Sequence, residues 1–417
     1  MHKIVLGLGF GDEAKGATVD WMCATGDVKA VIRYNGGPQA AHNVVTAVGE
    51  HHQFSQFGAG TFQGVPTHLS EHMLINPFNM VVEAEHLMSM GLPDPFINTT
   101  VSWDALLVTP YHRAANRLKE DARGHSRHGS TGQGVGETRW YDMEFPHTSP
   151  HISDMGSPYV MNRLLETLRD YYTATLGDLG VKETPRELTM MYLDLYRNRM
   201  NIVPSDYVET LLDSGDCVFE GAQGVLLDEL YGFNPHTTWT NTTQANARTL
   251  LRGREAECWG LTRSYHTRHG AGPFPTEGKT NFSAPEPHNG TGQYQGAWRV
   301  GELDLTLLEY AIRANGGIDK LSVSHLDYMY DVLMESNYGY VTPAGDITER
   351  LPLPTTRDES FRYGANMTGL RSRAYDLVEG PDDVIRTITD VIGIAPTLLS
   401  YGPTWKDRKV ANLSPIS

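Results

Sequence analysis

Residues 3–16 read KIVLGLGFGDEAKG, an apolar run that enters a glycine-rich turn carrying Asp12, Glu13 and Lys15 before ATVDWMC resumes at 17–23. The first part has the composition of a buried strand and the last part opens a helix, so the turn sits at a helix N-terminus. Backbone N–H groups at such a place attract phosphate. Two carboxylates there would repel a bare polyphosphate, and a Mg²⁺ ion held between carboxylate and phosphate resolves the conflict, with Lys15 neutralising the remaining charge. The stretch is not GxxxxGK followed by Ser or Thr, which excludes an ordinary P-loop switch.

The same strand–glycine pattern recurs along the chain. AVIRYNGG near 30, CVFEGAQG near 217, LSVSHLD near 321 and LLSYGPT near 398 read as short strands running into loops. NRLLETLRDYYTATL, PSDYVETLLDSG, LDLTLLEYAIRANGG and PDDVIRTITDVIG, spread between residues 162 and 393, carry apolar residues at helical spacing with caps at their ends. This alternation predicts an α/β fold, a large mainly parallel central sheet flanked by helices, with ligands beyond the carboxyl ends of the strands. We expect residues 1–417 to form a single domain with helical and loop insertions at about 100–215. The Gly-, Ser-, His- and Pro-rich stretch from about 124 to 160 reads as a functional loop.

The formal net charge is −16, with 34 Lys and Arg against 50 Asp and Glu. Nonspecific binding to nucleic acid or to an anionic membrane needs clustered cations, so neither partner is expected. Cys23, Cys217 and Cys258 are widely spaced and odd in number, giving no disulfide framework and no zinc spacing. The 17 histidines include HH at 51–52 and HSRH at 125–128, neither with metal-ligand spacing. No leader precedes the first strand and no run approaches the about 18 apolar residues of a membrane span, so a cytoplasmic location is expected.

Further motifs fall where ligands should collect. RYNGGPQAAHNVV at 33–45 adds Gln39, His42 and Asn43 after a strand, and Asp12 with His42 would form an opposed base and acid. GSTGQG at 129–134 supplies N–H and O–H donors for a monophosphate. Gln223 lies between glycines in FEGAQGVLLD, where its amide could meet a base or phosphate. TRHGAGPFPTE at 267–277 and QYQGAWRVGELD at 293–304 contain Arg268 and Arg299, the best local cations for a carboxylate.

Together these motifs resemble those of the adenylosuccinate synthetase family. GFGDEAKG resembles its WGDEGKG, RYNGGPQAAHNVV its RYxGGxNAGHTVV, GSTGQG its GTTGRG, FEGAQGVLLD its FEGAQGxxLD, and TRHGAGPFPTE its TRVGAGPFPTE, in the same order over most of the chain. The resemblance implies a homodimeric carbon–nitrogen ligase whose fold is related to P-loop NTPases. It would join L-aspartate to the 6-position of a purine monophosphate, IMP, using GTP and Mg²⁺ through a 6-phosphoryl intermediate.

Carried over by position, Asp12 takes the N1 proton and binds the metal, His42 assists the 6-oxygen, and Lys15 serves the phosphoryl transfer. Gln39, Ser130, Thr131, Gln223, Thr238, Arg268 and Arg299 would face the monophosphate and the amino acid. Gly11, Glu13, Ala14, Gly16, Asn43, His325, Asp327, Ser400, Gly402 and Pro403 would hold the donor nucleotide, and Ala41 replaces a glycine whose carbonyl meets the metal.

Some positions depart from the family pattern. QYQGAWR replaces an arginine-rich TTGRRRR loop, SHLD replaces TKLD, Trp405 follows GPT where arginine is common, and Gln133 replaces an arginine. Gln133 and the FG of the first motif resemble the phage branch, which converts deoxyguanylate toward 2-aminoadenine DNA, and that branch typically lacks the acid at Asp12. The alternatives are therefore a synthetase acting on dGMP or GMP, with ATP or dATP as donor, and a noncatalytic nucleotide-binding descendant.

Overall fold

The computed structural model describes residues 1–278, 286, 289–330 and 332–411. Ten strands form the central sheet: β1 (His2–Gly7), β2 (Ala30–Arg33), β3 (Thr67–Leu69), β4 (Thr99–Ser102), β5 (Asn201–Val203), β6 (Cys217–Gly224), β7 (Ala256–Arg263), β8 (Lys320–Ser324), β9 (Leu398–Ser400) and β10 (Arg408–Val410). Their order across the sheet is β10-β9-β8-β7-β1-β6-β2-β3-β4-β5. Neighbours are parallel except β9 and β10. Each strand that the sequence predicts is present.

Alternate residues feed two cores, as a pleated strand requires. Ile4, Leu6, Ile32 and Phe219 enter one cluster, while Val5, Val31 and Val218 enter the other. A central strand buried on both faces reads as an unbroken apolar run for this reason.

Helices cover the sheet. α1 (Lys15–Thr25) starts directly after the first turn. α2 (Pro77–Ser89) follows β3, and α3 (Pro110–Arg123) follows β4, capped by a Thr109–His112 box with Pro110 in its first turn. α4 (Val135–Glu144) and α5 (Pro158–Leu176) come next, and α5 buries Met161, Leu165, Leu168 and Tyr172 at helical spacing. The region expected to be one long loop, about 124 to 160, is thus largely structured. Gly134, at φ 85°, ends the loop and starts α4. The sequence reading missed this helix because its apolar residues, Val135, Trp140 and Tyr141, form no clean stripe.

β1 lies between β6 and β7, and the chain places β2 to β6 on one side of it and β7 to β10 on the other. Such a switch point opens a crevice at the carboxyl ends of the strands. Asp12 follows β1, His42 follows β2, Gln223 ends β6, His269 follows β7, Asp327 follows β8 and Gly402 follows β9. No helix among the described residues is long and apolar enough to cross a membrane.

Candidate active site

A cavity of about 760 Å³ opens over this switch point. Asp12, Gln39, Ala41, His42, Ser130, Thr131, Gln223, Thr238 and Arg268 all line it. Residues from six separate stretches of sequence therefore share one space.

The first turn divides its two acids. A Cβ on Gly7 or Gly9 would lie 1.9 or 2.4 Å from the Glu13 carboxylate, so both glycines make room for that side chain. Glu13 accepts the Gly11 N–H at 2.8 Å, and Lys15 donates to the Gly11 carbonyl at 2.7 Å. Lys15 Nζ lies 3.5 Å from Glu13, and both residues are buried. Burial pushes the Glu13 carboxyl up, against the pull of Lys15. Glu13 and Lys15 thus lock the turn, and only Asp12 of the charged trio lines the cavity.

Asp12 keeps a fifth of its side chain exposed, and His269 Nδ1 lies 3.5 Å from its Oδ2. Burial alone would raise the Asp12 carboxyl, but His269, Arg263 and Lys15 outweigh it and hold the group below its ordinary value. Asp12 stands as an ionised carboxylate at the cavity wall.

His42 begins the strand His42–Val45, beside α1. A Cβ on Gly16 would sit 2.7 Å from the His42 Cβ, so glycine permits this close approach. His42 Nδ1 lies 2.5 Å from Glu220 Oε1, while Glu220 Oε2 accepts the Ala59 N–H at 2.9 Å. A carboxylate can only accept, so Nδ1 carries the proton and Nε2, buried without a protein partner, is the free nitrogen. Burial brings the imidazole down to about 4 despite Glu220, with Arg33 and Lys15 adding to the fall. Both amide atoms of Gln39 are likewise buried without partners. Buried polar atoms normally have partners, so these groups are poised for a ligand.

Asn35 joins the two halves of the site, donating to Ala222 and Asn241 carbonyls at 3.1 and 3.0 Å and accepting the Ala222 N–H at 2.7 Å. Gln223 takes a left-handed backbone at φ 63°, and Thr240 lies 3.5 Å from its Oε1. In the loop 129–134, Ser130 donates to Asn116 Oδ1 at 2.9 Å, and Asn116 also accepts the Gly134 N–H at 3.2 Å. Gln133 also lines the cavity and accepts from Asn79 at 3.1 Å.

The two arginines are committed to the turn around Gly270. Arg268 is 1% exposed and donates to the carbonyls of Ala271, Pro273 and His236 at 3.1, 2.9 and 3.1 Å. Burial pulls its guanidinium down to about 9. Arg299 pairs with Glu277 at 2.7 and 2.5 Å and donates to Gly270 and Gly272 carbonyls at 2.8 and 2.9 Å. Unlike Arg268, Arg299 is not among the residues that line the cavity.

Of the remaining donor-side residues, His325, Asp327, Ser400, Gly402 and Pro403 lie at the ends of β8 and β9, outside that cavity, while Gly11 lines it. His325, at φ 61°, stacks on Tyr328 with centroids 5.6 Å apart, and burial holds it well below its ordinary range. Burial raises the Asp327 carboxyl, and Asp407 adds to the shift. Ser400 donates to the Gly402 carbonyl at 3.1 Å, and Pro403 continues that turn into the Thr404–Asp407 capping box. Asn43 accepts from His51 at 2.8 Å. Gly11 lets Gln223 approach, since a Cβ there would be 3.3 Å from the Gln223 Cα. Ala14 caps α1 at φ 59°.

The model of the family described as adenylosuccinate synthetase matches residues 4–408. The chain belongs to the adenylosuccinate synthetase family. The relative from Thermoplasma acidophilum is 30% identical over 337 residues, covering 78% of this chain and 75% of that protein. The one from Halothermothrix orenii is 27% identical, covering 97% of each. Among solved structures, the fully ligated Plasmodium falciparum adenylosuccinate synthetase superposes with a TM-score of 0.83 at 19% identity, covering 99% of this chain and 100% of that one. Cyanophage S-2L succinoaminodeoxyadenylate synthetase, bound to dGMP and dATP, gives 0.60 at 16% identity over 98% and 96%. As a member of this ligase family the chain is an enzyme with small-molecule nucleotide chemistry. The sequence reading passed over Glu220, Arg263 and His269. Glu220 stands inside the FEGAQG motif and His269 inside TRHGAG, but nothing local marks either as a site residue.

Proposed function

We propose that the protein joins L-aspartate to the 6-position of IMP with GTP as phosphoryl donor, forming adenylosuccinate. The observation that supports this most directly is the ionised Asp12 carboxylate sharing one cavity with the free Nε2 of His42. Asp12 accepts the N1 proton of the 6-oxopurine, and the resulting 6-oxyanion attacks the γ-phosphorus while the nucleoside diphosphate leaves. The amine of aspartate then attacks C6, its lost proton and the phosphate departing. His42, its Nδ1–H held by Glu220, can carry a second proton at Nε2 when phosphate charge arrives beside it, and so stabilise the developing 6-phosphoryl oxygen.

Gln39, Ser130, Thr131, Gln223 and Thr238 would hold the monophosphate, and Arg299 the amino acid. Asn43, Gly11, Glu13, Ala14, Gly16, His325, Asp327, Ser400, Gly402 and Pro403 would form the donor side, with Lys15 released toward the phosphates. Asp12 and Ala41 line the same cavity and could offer a carboxylate and a carbonyl oxygen. Mg²⁺ keeps several waters and takes phosphate oxygens, so one or two protein oxygens suffice and this donor set fits it. When bound, the ion would neutralise charge on the transferring phosphoryl group. Homodimerisation and a cytoplasmic location belong to the same reading.

A second reading replaces IMP by dGMP or GMP and GTP by ATP or dATP. It is favoured by Gln133, which stands in place of an arginine, and by the fold shared with the dGMP-bound cyanophage protein. The test is phosphate release with Mg²⁺ and aspartate, crossing IMP, GMP and dGMP against GTP and ATP, with product masses measured. Turnover with IMP and GTP is expected. Turnover confined to dGMP would replace the first reading by the second.

A further inference from the structure

His269 stands where the family motif TRVGAGPFPTE has valine, and Trp298 lies in the loop that replaces the arginine-rich segment. These two departures touch. The strand His266–His269 pairs antiparallel with Trp298–Gly301, placing His269 opposite Trp298. Their rings meet edge to face with centroids 4.6 Å apart and planes at 64°, which fixes the imidazole orientation. The Arg263 guanidinium covers the same indole at 5.2 Å.

Held this way, His269 lines the cavity with Nδ1 3.5 Å from Asp12 Oδ2. The carboxylate can only accept, so Nδ1 is the donor. Arg263 Nε donates to the Asp12 backbone carbonyl at 2.5 Å. The aspartate is therefore hydrogen-bonded at its main chain by Arg263, and His269 stands within ion-pair distance of one carboxylate oxygen. A valine at 269 would fill space without offering a donor.

We propose that His269 is a positioning residue for the base: by engaging Oδ2 it fixes the Asp12 rotamer and turns Oδ1 to the N1–H of the purine. This rests on the reading of Asp12 as that base. The 3.5 Å contact is long for a hydrogen bond, and such contacts tighten when substrate closes the site. Placement matters because a displacement of about 1 Å at a reacting group can cost about 100-fold in rate.

The test is steady-state kinetics of the full chain carrying His269→Val or His269→Asn, using whichever purine monophosphate and donor turn over, with thermal melts as a folding control. His269→Val, the family's own residue, should lower kcat about 10- to 100-fold while each KM stays within about threefold. His269→Asn, whose amide N–H replaces Nδ1–H, should recover most of kcat. A Val variant with unchanged kcat, a loss seen in KM alone, or equal losses in the Val and Asn variants would overturn the proposal. Absence of turnover by the wild type with every purine monophosphate would instead remove the reading of Asp12 as base, and this role with it.

Discussion

The imidazole of His42 and the carboxylate of Glu220, 178 residues apart in sequence, meet at 2.5 Å at the base of the cavity. Glu220 also receives the Ala59 N–H and neighbours the buried Arg33, so its charge is held in place. The pair sets which nitrogen of His42 faces the ligand.

Replacing that acid should therefore act through the tautomer. Glu220→Gln can donate to Nδ1 and leave the proton on Nε2, the wrong nitrogen for taking one up. We expect kcat to fall about 100-fold or more, the scale of general acid–base contributions, with nucleotide binding by calorimetry largely retained. Wild-type kcat in this variant would dissociate Glu220 from the chemistry.

Four buried histidines make the fold acid-sensitive. Burial brings His42, His68 and His266 to about 4 and His112 to about 3, against 6.5 for the exposed group. Below pH 6.5 the unfolded chain takes up protons that the folded chain refuses, so their contribution is complete above 6.5 and is lost as pH falls toward 4. The Tm should drop across that window, and His266→Phe should flatten the slope. A Tm independent of pH between 6.5 and 4.5 would contradict this.

Ala14 occupies a conformation that suits glycine. At φ 59° and ψ 37° its Cβ crowds the following carbonyl, a strain of about 1 kcal/mol for a residue with a side chain. Ala14→Gly, which restores the glycine of the family motif, should raise unfolding free energy by up to about 1 kcal/mol in urea melts. A lower midpoint would mean that the turn is not strained at this residue.

Arg299 is paired with Glu277 and must exchange it to hold a substrate carboxylate. Arg299→Leu should raise the KM for aspartate much more than that for either nucleotide. An unchanged aspartate KM would confine Arg299 to bracing the turn around Gly270.

Much of this protein is legible in its sequence. The apolar runs ending at Gly7, Arg33, Gly224 and Ser324 are largely buried strands, and the polar residues after them had to lie at one edge of a parallel sheet. Asp12, Gln39, His42 and Gln223 could be grouped before any contact was known, because strand ends in such a sheet converge, whereas Thr131 and Thr238 joined them through the resemblance to the family. α4 escaped because its apolar residues lack a stripe.

What tertiary structure alone decided is who pairs with whom. Strand order places β6 between β1 and β2, with Glu220 in register with Arg33, and only then can Glu220 reach His42. Likewise the antiparallel pairing of His269 with Trp298 delivers an imidazole to Asp12, and a ring of carbonyls occupies Arg268. Periodicity reports which face of an element is buried. Hydrogen-bond partners depend on how distant elements are stacked, and no local pattern carries that information.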